Sequence, residues 1–220
     1  MPRRTKRHQD KTAPPTSPPT GCGPTGRTLA YYAENARKFA SSTADVEFSA
    51  MQRKFESLLP SGAKVLDFGC GSGRDAKHFV DAGFDVTATD GSPELCEIAE
   101  RLAGIPVRNE LFQDLAETEA YDGIWACSSI LHLPKPDLAD VLAKMAAALK
   151  PGGVIYTSFK HGTFEGMRNG RHFTDFTEPE FRAFLQRVPQ LRIKEAWTTA
   201  DVRPGREDEK WLNLLLTKRS

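Results

Sequence analysis

The chain has 220 residues, which is the length of one domain with or without a tail. It contains 30 Lys or Arg and 29 Asp or Glu, so its net charge is +1. The balanced charge disfavours nucleic acid and membrane surfaces as binding partners, and no run approaches the ~20 apolar residues of a membrane helix. The four cysteines show neither a CxxC pair nor metal-like spacing with His, so we expect reduced thiols in a cytoplasmic protein and no metal site.

Residues 1–27 form a basic, proline-rich segment. They contain six of the 15 prolines and six basic residues but only one acid, Asp10. Because almost none of these residues is apolar, the segment is predicted to be a disordered tail. Its RRTKR sequence is also compatible with a nucleic-acid or targeting arm, although solvated basic tails are the more common case. No apolar stretch follows the basic start, so a secretory signal peptide is not expected.

Helix-like and strand-like patterns alternate through residues 28–220, which are predicted to form one domain. In the first half of the domain we expect helices at 29–40 and 47–59, a strand at 63–68, a helix ending before Gly83, a strand at 84–90 and a helix at 93–103. In the second half we expect strands near 107 and from 121, a helix at 138–149 and a strand at 153–159. A helix then follows a Thr177/Glu180 capping box, and strands near 191–197 and 211–216 end the domain. This alternation implies βαβ units. The predicted fold class is α/β, a doubly wound, seven-stranded and mostly parallel sheet with helices on both faces.

The first predicted strand runs into a glycine-rich turn with the sequence VLDFGCGSGRD, residues 65–75. Gly69, Gly71 and Gly73 permit positive φ and let backbone N–H groups approach a ligand closely. An adenosine-type cofactor can therefore lie over this end of the sheet. The same glycines are also compatible with a tight strand-to-helix turn that binds nothing.

Three carboxylates fall at the ends of consecutive predicted strands. Asp67 lies two residues before the first glycine, where it could meet a cationic ligand group. Asp90 ends the second strand, 21 residues after Gly69, where an acid accepts from ribose hydroxyls. Asp114 follows the third strand and could accept from an adenine amino group. Any one of them could simply cap a turn, but the three together favour a nucleoside site.

This set of motifs resembles the class I S-adenosylmethionine-dependent methyltransferases from about residue 31 to the C-terminus. The resemblance depends on VLDFGCGSGRD, the strand-end Asp90, the FQDL segment at 112–115 and LKPGG at 149–153. More narrowly, the tyrosine pair at 31–32 and NGRHFTDFTE at 169–178 resemble a bacterial branch related to tellurite-resistance and small-molecule methyltransferases. The resemblance implies a Rossmann-like fold with S-adenosylmethionine as the cofactor.

The resemblance also implies roles for particular residues. Asp67 and the glycine loop would face the methionine part of the cofactor, Asp90 the ribose and Asp114 the adenine. Residues 127–129, after the fourth strand, would border the transferred methyl group. The cofactor-binding candidates are Asp67, Gly69, Gly71, Gly73, Asp90, Gly91, Asp114, Leu115, Cys127 and Ser128.

A nicotinamide oxidoreductase fits the same loop less well. Its GxGxxG pattern would require glycine at position 74, which is Arg74 here, and it would place Asp67 beside a pyrophosphate.

Methyl transfer from a sulfonium is a direct displacement, so positioning of the two reactants can supply ~7–11 kcal/mol of the acceleration. No catalytic triad is required, and a general base is optional. His132, in the SILHLP sequence after the fourth strand, is the catalytic candidate. It is equally compatible with an imidazole that only packs or forms hydrogen bonds in its loop.

The candidate substrate residues lie in the first helix and in two segments after the fifth strand. Residues 160–176 form a stretch too long and glycine-rich for a simple connection, which is typical of a functional lid. The candidates are Tyr31, Tyr32, Arg168, Arg171, His172, Arg203 and Arg206. Such arginines usually form solvated pairs, here with the acids at 207–209. Our hypothesis is that some of them converge on an anionic acceptor, because guanidinium groups match oxyanions through paired hydrogen bonds.

The sequence also narrows the acceptor. It lacks a [DNS]PP[YFW] motif and a Pro-Cys nucleophile, which disfavours methylation of adenine or glutamine amino groups and of cytosine C5. The acidic folded region disfavours bulk nucleic acid, so a small molecule is the expected acceptor. A tRNA-wobble methyltransferase and a non-catalytic S-adenosylmethionine-binding module are the alternatives. We expect a monomer or a homodimer.

Overall fold

The structure is a computed structural model that describes residues 23–43, 46–203, 205, 206 and 208–219. Most of the predicted tail, up to residue 22, therefore lies outside the described residues. The first helix begins at Pro24, so residues 24–27, which the sequence analysis assigned to the tail, are helical. Proline is well suited to a first helical turn, where its missing N–H has no helical partner to lose.

Helices and strands alternate along the described chain, as predicted. The helices are α1 (Pro24–Thr43), α2 (Ser49–Glu56), α3 (Arg74–Asp81), α4 (Pro93–Ala103), α5 (Lys135–Ala148) and α6 (Glu178–Phe184). The strands are β1 (Lys64–Phe68), β2 (Asp85–Asp90), β3 (Val107–Asn109), β4 (Tyr121–Ala126), β5 (Leu149–Lys160), β6 (Glu165–Arg168), β7 (Arg171–Thr174), β8 (Leu191–Ala200) and β9 (Lys210–Lys218). None of the helices among the described residues has both the length and the apolar character of a membrane span.

Seven of these strands form one sheet in the order β3-β2-β1-β4-β5-β9-β8, which confirms the predicted fold class. β1 pairs in parallel with β2 and β4, whereas β9 is antiparallel to β5 and β8. β1 is buried along most of its length because helices cover both faces of the sheet. The chain order reverses between β1 and β4, and ligands of open α/β sheets bind at such a switch point.

The core has one apolar layer on each face of the sheet. On one face α5 and α6 pack against β4, β5 and β9. On the other face α2 places Phe55 against Trp125, whose ring stacks on Tyr156 with a centroid separation of 4.1 Å. The sheet is thereby held rigid beneath the strand ends that carry the candidate site residues.

The predicted long loop at 160–176 contains a β-hairpin, which is a correction to the sequence analysis. β6 and β7 pair antiparallel and are joined by Asn169 and Gly170, both with positive φ. Asn-Gly is a strong signal for a two-residue hairpin turn, so this element was detectable in the sequence. The Cβ position of Gly170 lies 3.0 Å from the Tyr31 ring, and the hairpin therefore packs closely on α1.

Candidate active site

A deep cleft lies over the carboxyl ends of β1, β2 and β4. Its other walls come from α1, from β7 and from the connection between β8 and β9. Among the described residues, no three His, Cys, Asp or Glu side chains are grouped so that they could hold a metal ion. The polar groups that line the cleft include carboxylates, guanidinium groups and backbone N–H donors.

The glycine loop forms the floor of the cleft next to Asp67. Gly69 has φ of +81°, and a Cβ there would lie 2.6 Å from the Cβ of Ser129, so the loop must approach β4 without a side chain. Asp67 is 2% exposed, and its Oδ2 has no hydrogen-bond partner. Burial, together with the charge of Asp75, raises the pKa of Asp67 well above its ordinary value. A buried carboxyl oxygen without a partner fits a ligand that brings a positive charge, since that charge would favour the ionised form.

Asp90 lies at the end of β2 and organises the neighbouring backbone. Its Oδ2 accepts the Gly71 N–H at 2.9 Å, and its Oδ1 accepts the Ser92 N–H at 2.8 Å. Burial raises the pKa of Asp90 to about 6, although these two N–H donors act in the opposite direction. Each carboxylate oxygen can accept a second hydrogen bond, so this group can also accept hydrogen bonds from the two hydroxyls of a ribose.

Asp75 is a buried carboxylate that the sequence analysis did not select. It accepts hydrogen bonds from Gln52 Nε2 at 2.7 Å and from Trp125 Nε1 at 2.9 Å. Arg74 donates to it through Nε and Nη2, both at 2.9 Å. This one side chain thus joins α2, α3 and β4, and it fixes the Arg74 guanidinium in the wall of the cleft.

His132 is buried in the wall of the cleft with both ring nitrogens engaged. Its Nδ1 lies 2.6 Å from the carbonyl oxygen of His172. Because a carbonyl only accepts, Nδ1 carries the proton and Nε2 is the acceptor for the Tyr32 hydroxyl at 2.8 Å. Burial lowers the pKa of His132 to about 3, so the imidazole is neutral at physiological pH.

Arg171, at the start of β7, lies among aromatic rings beside this pair. Its guanidinium carbon is 4.5 Å from the Tyr31 ring centroid and 5.1 Å from that of Phe173. Nη1 donates to the Tyr32 hydroxyl at 3.4 Å, and the buried Nε has no partner. Among the described residues Arg171 has no carboxylate within ion-pair distance, so it brings an uncompensated positive charge to the cleft.

The connection between β8 and β9 is held by Asp201, whose side chain is 2% exposed. Arg203 donates to both carboxylate oxygens, at 2.9 and 2.5 Å. Lys160 Nζ and Trp211 Nε1 also donate to Oδ2, at 3.1 and 2.9 Å. Burial alone would raise the pKa of Asp201, but the hydrogen bonds from Arg203 and Trp211 hold it below its ordinary value. Arg203 is thus neutralised within the protein.

The profile of a family described as "Methyltransferase domain" matches residues 65–153, from β1 to the start of β5. Those residues contain the glycine loop and Asp90. The chain therefore contains a methyltransferase domain, in agreement with its resemblance to the class I S-adenosylmethionine-dependent methyltransferases. The orphaned oxygen of Asp67 and the free acceptor positions of Asp90 fit S-adenosylmethionine, the cofactor that the resemblance implies.

One relative in sequence and two solved structures are also similar to this chain. The chain is 34% identical over 160 residues to the ubiquinone biosynthesis O-methyltransferase of Xanthomonas axonopodis, a match that covers 63% of this chain and 66% of the relative. It therefore spans just under two thirds of the length of that relative. The fold is similar to a Burkholderia thailandensis 1,6-didemethyltoxoflavin-N1-methyltransferase solved with 1,6-didemethyltoxoflavin and S-adenosylhomocysteine (TM-score 0.72, 22% identity, 96% and 94% coverage). It is also similar to a TehB-like methyltransferase from Corynebacterium glutamicum (TM-score 0.62, 23% identity, 87% and 98% coverage).

Seven of the ten cofactor-binding candidates line the cleft. They are Asp67, Gly69, Gly71, Asp90, Gly91, Cys127 and Ser128. Asp114 instead accepts the Leu111 N–H at 3.4 Å within a 3-10 turn, and Leu115 is buried in the apolar core. The neighbouring Gln113 lines the cleft, and its buried Oε1 has no partner, so it is a better candidate than Asp114 for the adenine.

The third glycine of the loop also lies outside the cleft lining. Gly73 is the N-cap of α3, and a Cβ there would lie 2.8 Å from Cα of Ala99 on α4. Its function in the fold is close packing of two helices rather than contact with a ligand. The spacing of glycines in the sequence does not distinguish these two requirements.

Five of the eight catalytic and substrate candidates line the cleft, namely Tyr32, His132, Arg171, Arg203 and Arg206. The other three do not. Tyr31 packs on Gly170, and Arg168 forms an ion pair with Asp175 at 2.7 Å. His172 contributes its backbone oxygen to His132, while its own side chain stays buried outside the lining. Other residues also line the cleft but were not among the candidates. Of these, Arg74 and Asp75 lie within the glycine-loop motif, whereas no motif in the sequence indicates Leu29 and Phe39 on α1.

Gly73→Ala tests the packing function of that glycine. Both Gly73 and Gly83 have φ near +85°, but the Cβ position of Gly83 meets nothing within 4 Å. We expect Gly73→Ala to lower the free energy of unfolding by about 1–3 kcal/mol more than Gly83→Ala, because only the former adds overpacking to the shared cost of positive φ. Urea unfolding of both variants measures the difference. Equal losses would contradict this interpretation.

Proposed function

We propose that this protein transfers a methyl group from S-adenosylmethionine to a small, anionic acceptor by direct in-line displacement, and that it does so in the cytoplasm. The observation that carries the proposal is the charge distribution of the cleft. Asp67 and Asp90 lie at the ends of β1 and β2, and Arg171, on β7, lines the same cleft without an ion pair among the described residues. The thiols of Cys70, Cys96 and Cys127 are free, which supports a reducing compartment.

The residues at the strand ends would hold the cofactor. When bound, S-adenosylmethionine supplies a methyl group on a positively charged sulfur. Asp67 would compensate positive charge on the methionine part, and Asp90 would accept from the ribose hydroxyls. Arg74, held by Asp75, is the cation available for the cofactor's carboxylate. Cys127 and Ser128, directly after β4, would border the methyl group.

The residues around Arg171 would hold the acceptor. Phe173, whose ring centroid lies 5.1 Å from the Arg171 guanidinium carbon, gives the cleft apolar surface, and so does Leu131. Such a wall suits a compact ligand better than a polynucleotide, which needs an extended basic surface. The names of the relatives, an O-methyltransferase of ubiquinone biosynthesis and an N1-methyltransferase of a toxoflavin precursor, support a small-molecule acceptor.

The deciding experiment is turnover with a pooled metabolite panel. We expect stoichiometric formation of S-adenosylhomocysteine together with a metabolite whose mass has increased by one methylene. An Asp90→Ala variant, which lacks the proposed ribose acceptor, is the negative control for contaminating activity. Binding of S-adenosylhomocysteine without any transfer across the panel and a tRNA pool would instead favour the non-catalytic binding module, and transfer only to tRNA would favour the wobble enzyme.

A further inference from the structure

The ion pairs of the cleft leave only a few of its charged side chains unpaired among the described residues. Arg74 is paired with Asp75, and Arg203 is paired with Asp201. Arg206 lies 3.7 Å from Glu209, and Lys160 also contacts Asp201. Among the described residues that line the cleft, the charged side chains without an ion pair are Asp67, Asp90, Glu110 and Arg171.

The three unpaired acids all lie at or next to strand ends. Asp67 is on β1, Asp90 ends β2, and Glu110 follows β3. Arg171 is on the β6–β7 hairpin, next to His132, which follows β4. A cationic donor held by the strand-end acids and an anionic acceptor held by Arg171 would therefore be brought together in one cleft.

The environment of Arg171 suits a ligand anion. Its neighbours are aromatic rings and the Tyr32 hydroxyl, so no carboxylate competes for the guanidinium. The buried Nε–H without a partner is a donor that a ligand oxygen or nitrogen could satisfy. A partly buried guanidinium without a counter-ion is unfavourable in the free protein, and a bound anion would offset that cost.

Among the described residues next to Arg171, neither His132 nor Tyr32 is ready to take a proton from the acceptor. The lone pair of His132 Nε2 is occupied by the Tyr32 O–H, and its Nδ1–H is donated to His172. Burial and the charges of Arg171 and His172 oppose protonation of the imidazole, and the pKa is lowered to about 3. Burial raises the pKa of Tyr32, and although the charge and hydrogen bond of Arg171 act to lower it, Asp90 on β2 and Tyr31 on α1 act in the same direction as burial.

We propose that the acceptor is an O–H or N–H acid that binds already ionised, with its negative charge against Arg171, and that His132 positions Tyr32 instead of acting as a general base. This inference rests on the proposed methyltransferase function. In the transfer, a lone pair of the ionised acceptor atom forms the bond to the methyl carbon while the carbon–sulfur bond breaks and its electron pair returns to sulfur. Both products are neutral at the reacting atoms, and no proton moves.

The physical advantage of this arrangement is the cancellation of opposite charges. Ions attract more strongly in a cleft that excludes water than in bulk solvent, so the two reactants are drawn together. Arg171 also stabilises the anion relative to its conjugate acid, which lowers the pKa of the bound acceptor. The ionised fraction then remains high at physiological pH without a protein base.

The test uses 4-nitrophenol as a probe, because its phenolate absorbs visible light and its neutral form does not. The protein saturated with S-adenosylhomocysteine is titrated with the probe at several pH values. We expect the bound probe to ionise at a pH at least one unit below that in free solution, which is a tenfold preference for the phenolate. Arg171→Met should abolish this shift, and Arg171→Lys should retain part of it. Arg168→Met is the matched control, since Arg168 lies on the same hairpin but outside the cleft lining.

His132→Gln separates positioning from base catalysis. The glutamine side chain can still accept a hydrogen bond from the Tyr32 hydroxyl. The pH at which the bound probe ionises should therefore remain lowered in this variant. Binding of the neutral phenol, an unshifted ionisation, or no binding at millimolar probe would overturn the inference while leaving S-adenosylhomocysteine binding intact. Loss of the shift in His132→Gln but not in Arg171→Met would likewise overturn it. Failure of the wild-type protein to bind S-adenosylhomocysteine would instead refute the proposed function, and the inference with it.

Discussion

An Asp90→Ala variant is expected to bind S-adenosylhomocysteine about 10²–10⁴-fold more weakly than the wild-type protein. Hydrogen bonds to a charged group contribute about 1.5–3 kcal/mol each, and the proposed ribose contact comprises two of them. The substitution also frees the N–H groups of Gly71 and Ser92, which the carboxylate holds at 2.9 and 2.8 Å. The glycine loop would therefore lose its anchor to β2 together with its ligand contact. Isothermal titration calorimetry measures the change.

Asp85→Ala is the control for this experiment. Asp85 begins the same strand, β2, but its carboxylate is exposed and makes only a 3.6 Å ion pair with Lys64. We expect its affinity for S-adenosylhomocysteine to equal that of the wild type. A loss of less than fivefold in Asp90→Ala would contradict the assignment of the ribose site to this carboxylate.

The affinity of the wild-type protein should also depend on pH through Asp90. Its pKa is raised to about 6 by burial, so the carboxyl becomes protonated as the pH falls through that value. A protonated carboxyl accepts hydrogen bonds less well, and the affinity for S-adenosylhomocysteine should therefore fall below pH 6. Titrations between pH 5 and pH 8 check the direction, and a constant affinity over that range would contradict it.

Asp75→Ala is expected to lower the free energy of unfolding by about 3–5 kcal/mol, the cost of breaking a buried ion pair by removing one partner. The variant leaves the Arg74 guanidinium without its carboxylate and the N–H groups of Gln52 and Trp125 without an acceptor. Urea unfolding followed by tryptophan fluorescence measures the loss, since Trp125 reports on the same cluster.

Asp81→Ala on the same helix, α3, provides the comparison. Asp81 makes an exposed ion pair with Lys77 at 2.8 Å, so its removal should change stability by less than about 0.5 kcal/mol. If Asp75→Ala lowered the free energy of unfolding by as little as this control, the hydrogen bonds by which Asp75 joins α2, α3 and β4 would not stabilise the fold.

Sequence alone determined the features that depend on local order along the chain. The alternation of apolar periods predicted the strands and helices of the sheet, because a residue's place on a strand or helix face depends on its near neighbours. Asp67 and Asp90 could be placed at the cleft because parallel strands bring their carboxyl ends to one edge. The Asn169–Gly170 turn carries an equally local signal, because Asn-Gly favours a two-residue hairpin.

Only the tertiary structure decided which side chains meet across the cleft. Tyr32 reaches His132 over 100 positions of sequence, and Arg171 reaches Tyr32 over 139. It also separated Gly73, which packs on α4, from Gly69 and Gly71, which line the cleft. Such contacts depend on how helices and hairpins pack on the sheet, and packing is a property of the whole assembled core, to which no local stretch of sequence corresponds.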